Sequence, residues 1–339
     1  MRCLSLADGL KGEGWSSAFA GGPDTGATLK SLGADCYDFV ALPGDGGDDV
    51  TTLAMTWPQG VDFLVVDNYE LDATFESACR PWARNVMAID DLADRSHDVD
   101  LLLDQTVDRS EADYRKVVGP DCRLLLGTRY ALLRDQFRNA RERSLVRRPN
   151  ATLDKILVSY GSLDLRNCIP TTLEGITLSG IRAEINIVIG PSAPRLGELE
   201  EFIRNKGISA VLHVGVHDMA RLIEEADLAI GAAGTTAWEF CCLGLPAFLV
   251  TTSPNQITIG KSLEARGAAH LMGHFEELSP ERFAEHLEKV VENADLLHEM
   301  SIAAAKVCDG LGVSRVVDAM LSCGTNSQGV RSQAGKALA

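Results

Sequence analysis

A chain of 339 residues has the length of about two domains, and its 45% apolar and 24% charged content is that of an ordinary globular protein. A formal charge of −16 excludes nucleic acid held by phosphate neutralisation, so a small anionic ligand needs local donors instead. Nine scattered cysteines with no CxxC pair exclude a zinc knuckle and point to reduced thiols in a cytoplasmic protein, and no apolar run is long enough for a membrane span.

In chain order, Met1, Leu4, Leu6, Ala7 and Leu10 recur at nearly helical spacing, so this α/β chain opens on a helix with no strand before it. Residues 17–20 read as a short strand, 28–32 as a helix, 36–42 as extended and 43–49 as a Gly/Asp loop. Residues 62–67 form a strong buried strand that runs out into Asp67-Asn68-Tyr69-Glu70. In open parallel sheets ligands sit beyond the carboxyl ends of strands, which makes Asp67 and Tyr69 candidate site residues. The competing reading has Asp67 capping the next helix and Tyr69 packing at the rim. Strands at 86–89, 101–105 and 123–127 follow, the first two ending in acids or amides. Residues 130–148 carry Arg134, Arg138, Arg141, Arg143, Arg147 and Arg148, and read as a solvated basic helix leading to a linker at 149–152.

The second half restarts the strand–helix alternation at residue 155. Its centre is the stretch from Asp227 to Gln256. An apolar run, Leu228-Ala229-Ile230, leads into the small residues Gly231 to Thr236. A helix from 237 to 243 stops at Gly244, with Pro246 beyond, and a strand at 247–250 ends in a polar loop. This is a βαβ unit. Its small-residue loop lets a ligand approach the backbone, and the helix start suits a phosphate. Glu239, one turn in, is placed to accept two hydrogen bonds from a vicinal diol such as a ribose. Equally, Gly234 eases packing and Glu239 caps the helix. The seven histidines, His97, His213, His217, His270, His274, His286 and His298, show no triad or metal-ligand spacing.

Several of these stretches occur in the order found in one enzyme family. They are Asp67-Asn68-Tyr69-Glu70-Leu71-Asp72, Ile89-Asp90-Asp91, Leu103-Asp104-Gln105, Gly127-Thr128-Arg129-Tyr130-Ala131-Leu132-Leu133-Arg134 and Gly234-Thr235-Thr236-Ala237-Trp238-Glu239. Together they resemble UDP-2,4-diacetamido-2,4,6-trideoxy-beta-L-altropyranose hydrolase, of pseudaminic acid synthesis for surface or flagellin glycosylation. The resemblance implies two doubly wound Rossmann-like α/β domains facing a cleft, of glycosyltransferase-B type. The domains are expected at 1–149 (sugar and catalytic) and 150–323 (UDP-binding), with 324–339 a disordered tail. It implies hydrolysis of a UDP-sugar at the anomeric carbon, with no metal and no cofactor. Gly161, Ser162, Asp164, Gly234, Thr235, Thr236, Glu239 and Asn255 are expected to bind the substrate, and Tyr69 and Asp67 to serve catalysis.

Two departures stand out. Where the family carries Gly-Gly-Thr-Asp, this chain has Gly161-Ser162-Leu163-Asp164. And Met1-Arg2-Cys3 matches the end of a family motif whose strand, glycines and general-base His are absent, so an N-terminally incomplete chain is expected. A UDP-sugar glycosyltransferase and an inactive UDP-sugar-binding protein are the alternatives.

Overall fold

The computed structural model describes residues 1–44, 46–150, 152–291, 293–325 and 336–338. The first half runs α1 (Arg2–Gly12), β1 (Ser16–Gly21), α2 (Pro23–Ser31), β2 (Asp38–Ala41), α3 (Gly47–Thr56), β3 (Val61–Val66), α4 (Ala73–Cys79), β4 (Ala83–Ile89), β5 (Leu101–Asp104), α5 (Glu111–Tyr114) and β6 (Arg123–Leu126). Then come α6 (Asp135–Arg147), β7 (Lys155–Ser159), α7 (Cys168–Leu178), β8 (Glu184–Ile189), α8 (Leu196–Lys206), β9 (Ala210–Val214), α9 (Met219–Glu225), β10 (Leu228–Ala232), α10 (Thr236–Cys242), β11 (Ala247–Thr251), α11 (Asn255–Ala265) and β12 (His270–His274). The chain closes with α12 (Pro280–Val291), α13 (Ala294–Val307), α14 (Gly312–Thr325) and β13 (Lys336–Leu338).

Two compact units result. Met1–Leu133 and Leu311–Ala339 make the first, Arg134–Gly310 the second. The division thus falls at Leu133/Arg134 rather than at the Pro/Asn-rich stretch near 149, because α6 is bonded to the second unit. The last helix, α14, returns to the first unit and packs Val316, Val317 and Met320 with Leu6 and Leu10 of α1. Of the tail expected to be disordered, Gly324 and Thr325 end α14 and Lys336–Leu338 pair as a strand, while 326–335 and 339 lie outside the described residues.

The described strands of the first unit form a parallel sheet in the order β2-β1-β13-β3-β4-β5-β6. Successive residues of a strand point to opposite faces. Phe63 and Val65 therefore join Met87, Ile89, Leu101 and Leu103 against α1 and α14, whereas Leu64 and Val66 join Val86, Ala88 and Leu102 against Leu53 of α3 and Phe75 of α4. Both faces are covered, which is why β3 reads as an apolar run from Phe63 to Val66.

The second unit's sheet is also parallel, in the order β12-β11-β10-β7-β8-β9. Ile156, Val158, Ile187, Ile230, Phe248 and Val250 pack one face with Ile169, Leu173 and Phe283. Helix α10 ends as its sequence indicates: Gly244 takes φ +61°, and the Leu245 N–H returns to the Phe240 carbonyl at 2.9 Å. Gly231 is demanded by a close approach. A Cβ there would lie 2.1 Å from the Ser159 carbonyl oxygen of the neighbouring β7. Gly231→Ala is expected to push β10 from β7 and destabilise the second unit by about 1–3 kcal/mol, as core overpacking does; an unchanged melting curve would remove this constraint.

The basic stretch is solvated only in part. Arg141 donates to the carbonyls of Cys242, Ala305 (2.7 Å) and Cys308 (2.9 Å). Arg147 donates to Glu225 (2.9 Å) and Ala226 (3.1 Å) and pairs with Asp227 at 2.5 Å. Arg148 is buried. These guanidiniums satisfy the carbonyls orphaned at the ends of α9, α10 and α13. Charge density in sequence does not distinguish this use from solvation. Of this group Arg138 and Arg143 are exposed, Arg143 paired with Glu224 at 3.0 Å.

Candidate functional site

The second unit has a topological switch point between β7 and β10. From β7 the chain moves through α7 to β8 on one side, and from β10 it moves through α10 to β11 on the other. Where the connections of neighbouring strands part in this way, the space beyond their carboxyl ends is the usual ligand position in an open parallel sheet. The expected substrate residues gather on the loops at this edge. Gly161, at φ +82°, and the exposed Ser162 follow β7; Gly234, Thr235 and Thr236 follow β10; Asn255 lies beyond β11.

Their roles differ from one another. Asp164 is buried, and its carboxylate accepts the N–H groups of Cys168 (2.9 Å) and Ile169 (3.1 Å). It caps α7 and shapes the loop rather than offering a free oxygen to a ligand, and burial raises its pKa. The Ser162 carbonyl accepts the Gly190 N–H at 2.8 Å, which fixes the other end of the same loop. Asn255 belongs to α11 rather than to a loop, and its Oδ1 accepts from Ser253 Oγ at 2.6 Å. Gln256 went unnoticed in the sequence. Its Oε1 accepts from the Thr252 N–H (2.9 Å) and hydroxyl (3.1 Å), and its Nε2 lies close to Gly234, so it braces the two loops together.

Glu239 stands in the first turn of α10, half-buried. Burial pushes its carboxyl up to about 7, against the pull of the Arg134 guanidinium. The carboxyl is therefore near its midpoint at neutral pH.

The first unit has its own switch point, between β1 and β3, where β13 is paired only with Ser16–Ala18 and with Phe63–Leu64. Beyond it, at the strand carboxyl ends, lies a cavity of about 390 Å³ lined by Phe19, Gly21, Gly22, Val66, Asp67 and Asn68 among others. Asp67 is engaged. Arg2 donates to it twice, Nε to Oδ2 at 3.0 Å and Nη2 to Oδ1 at 2.6 Å, and Cys3 Sγ donates at 3.1 Å. Burial raises the Asp67 pKa, but Arg2 more than offsets it and holds the carboxyl below its usual range. Tyr69 is 48% exposed and donates its phenol proton to Asp91 Oδ2 at 2.9 Å. Burial and Asp91 push that phenol up to about 12. Arg2 Nη1 stands 3.5 Å from Asp91, so Arg2, Asp67, Tyr69 and Asp91 form one cluster.

Two arginines hold the loops that carry it. Arg95 donates to the carbonyls of Asn68 (3.0 Å) and Leu71 (2.9 Å), on both sides of Tyr69, and pairs with buried Asp90 at 2.9 Å. Arg109 donates to the Asp91 carbonyl at 2.6 Å and pairs with Asp104. Nothing local in the sequence marks Arg2 or Arg95 for these tasks; Asp91 was visible only as a strand-end acid.

The histidines lie outside both clusters. His97 is buried with Nδ1 2.7 Å from Glu76 Oε1, and His270 Nε2 lies 2.8 Å from His286 Nδ1. Among the described residues no group of three or more His, Cys, Asp or Glu is placed to hold a metal ion, and no helix is long and apolar enough to cross a membrane.

Residues 156–313, most of the second unit, match the glycosyltransferase family 28 C-terminal domain. The spore coat polysaccharide biosynthesis protein SpsG of Bacillus subtilis is 26% identical over 208 residues, which are 60% of this chain and 59% of that protein. The uncharacterized protein MJ1062 of Methanocaldococcus jannaschii is 24% identical over 193 residues, 56% of this chain and 40% of that protein. The chain thus spans about half the length of these curated relatives. Among solved structures, MurG of Acinetobacter baumannii superposes with a TM-score of 0.66 at 17% identity, covering 95% of each chain. The fold is of the glycosyltransferase-B type, two Rossmann-like units with parallel sheets.

Proposed function

We propose that this chain binds a UDP-sugar and hydrolyses it at the anomeric carbon, releasing UDP and 2,4-diacetamido-2,4,6-trideoxy-L-altrose. The observation that carries the nucleotide half is the β7/β10 switch point, in the region that matches the family 28 domain. There Glu239 accepts the ribose diol, and the Gly161–Ser162 and Gly234–Thr236 loops let the phosphates approach the backbone. Asn255 reaches the sugar or phosphates, and Asp164 holds the first loop in shape. No cofactor is required.

The first unit handles the sugar. Tyr69 donates its proton to Asp91, so its oxygen lone pairs face outward and accept a hydrogen bond from water or from a sugar hydroxyl. With a phenol pushed up to about 12 it stays neutral at physiological pH and orients rather than deprotonates. Asp67, neutralised by Arg2, keeps that guanidinium beside Asp91 and is not a free base. The relation to SpsG supports a place in surface polysaccharide synthesis.

Tyr69→Phe is expected to lower turnover at least tenfold while leaving the UDP dissociation constant unchanged. A large loss of UDP affinity with turnover intact would remove Tyr69 from the reaction. The family 28 match is also consistent with a second reading, a glycosyltransferase, and fold alone does not separate the two activities. Assaying UDP release from UDP-sugars with and without acceptors separates them: hydrolysis proceeds in water alone, and strict dependence on an acceptor would overturn the hydrolase reading.

A further inference from the structure

We propose that Arg134 supplies the guanidinium that receives the diphosphate of the nucleotide at the second unit's switch point. This rests on the nucleotide reading above and adds a residue to that site.

The position follows from the bonds of α6. At its start the Gln136 side chain accepts the Ala220 N–H (3.1 Å) and donates to the His217 carbonyl (3.1 Å), in the turn that opens α9. At its end Arg147 bonds Glu225 and Ala226, where α9 closes and β10 begins. Helix α6 therefore runs alongside α9 in the same direction. The helices that follow strands of a parallel sheet begin at the strand carboxyl ends, so the start of α6 lies at that edge too. Arg134 is the residue immediately before α6, and its charge acts on Glu239.

The geometry of the guanidinium suits an anion. Nη1 donates to the His217 carbonyl at 2.9 Å, and the group lies over the Phe137 ring at 5.4 Å. These two contacts orient the side chain before any ligand arrives, so little rotamer freedom is lost on binding. Nε, by contrast, is buried and has no hydrogen-bond partner; it is the only arginine nitrogen in that condition among the described residues. An unpaired buried donor is costly unless something satisfies it. Arg141, Arg147 and Arg148 spend their donors on helix-end carbonyls, and Arg143 spends its on Glu224. The Nε–Nη2 edge of a guanidinium is a fork that matches two phosphate oxygens. In a chain of charge −16, an anionic ligand depends on such a local cation.

Titration calorimetry of the full chain with UDP and with uridine tests this, using wild type, Arg134→Gln, Arg134→Lys and Glu239→Ala. The expected result is a loss of at least tenfold in UDP affinity for Arg134→Gln, a smaller loss for Arg134→Lys, and unchanged affinity for uridine. Glu239→Ala should weaken both ligands, because both carry the ribose. If Arg134→Gln binds UDP as wild type does with its melting temperature preserved, the assignment fails and the nucleotide site stands. An equal loss for UDP and uridine also overturns it, making Arg134 a structural support. If Arg134→Gln does not fold, Arg134→Lys decides: selective weakening for UDP upholds the assignment, and wild-type UDP affinity ends it. No UDP binding by the wild type would defeat the nucleotide reading itself, and this inference with it.

Discussion

Glu239→Ala is expected to weaken UDP binding by roughly 1.5–3 kcal/mol, the range for a hydrogen bond to a charged group. The residue sits one turn into α10 at the carboxyl edge of the second sheet. Its pH behaviour gives a second, independent check. Burial raises its folded-state pKa from 4.5 to about 7. A carboxyl raised on folding contributes stability that is fully present below the unfolded pKa and is lost as pH rises through the folded one. Glu239→Gln should therefore melt higher than wild type above pH 7, with the difference shrinking as pH falls toward 4.5. Binding should move the opposite way. The ionised form is the better diol acceptor, so UDP affinity in the wild type should rise through about pH 7, and Glu239→Gln should flatten that rise. A dissociation constant for UDP unchanged in Glu239→Ala, with the fold intact, would reduce Glu239 to a helix residue.

The parallel strands were readable because both of their faces are covered, which leaves apolar runs such as Phe63–Val66 and Ala247–Val250. The stop of α10 was readable because Gly244 must adopt a left-handed backbone. Helix α3 went unread between a Gly/Asp loop and Trp57, since a ten-residue helix with few apolar positions leaves a faint periodicity. In the site, the βαβ stretch around Gly234 and Glu239 announced itself through local spacing. The Arg2–Asp67 pair did not, because its partners are 65 residues apart and only the sheet brings them together. Asp164 shows a structural use that the sequence leaves open. A polar residue in a loop after a strand looks like a ligand group, yet its oxygens are consumed by α7. The arginines of α6 mislead in the same way, as charge in sequence does not reveal which carbonyls a guanidinium will meet.

Arg148→Met is expected to destabilise the second unit by about 1–3 kcal/mol. Arg148 is 6% exposed. Its Nη2 donates to the Ile223 carbonyl at 2.7 Å and to Ser144 Oγ at 3.0 Å, its Nε to the Leu243 carbonyl at 3.2 Å, and its Nη1 to the Ala226 carbonyl. Three of these acceptors are carbonyls at the closing turns of α9 and α10, the negative ends of both helices. A methionine fills the space but takes the donor from the Ile223 carbonyl, at about 1–3 kcal/mol before relaxation, while the Ala226 carbonyl keeps Arg147 at 3.1 Å and the Leu243 carbonyl keeps Ser144 Oγ at 2.7 Å. Burial and the charge of Arg147 lower the Arg148 pKa to about 10, so the group remains cationic at neutral pH. Lysine is a poor substitute. It starts roughly two units lower, so the same burial brings its ammonium toward neutrality, and a single nitrogen does not span the ends of two helices. Arg148→Lys should therefore recover only part of the loss. Arg143→Ala is the control, since it removes an exposed pair on the same helix and should leave the melt almost unmoved. Thermal unfolding of the full chain should show a drop of several degrees for Arg148→Met at about 2–4 °C per kcal/mol. If Arg148→Met melts with Arg143→Ala and wild type, water or backbone rearrangement has replaced the guanidinium, and α6 is not fixed to the second unit by its arginines.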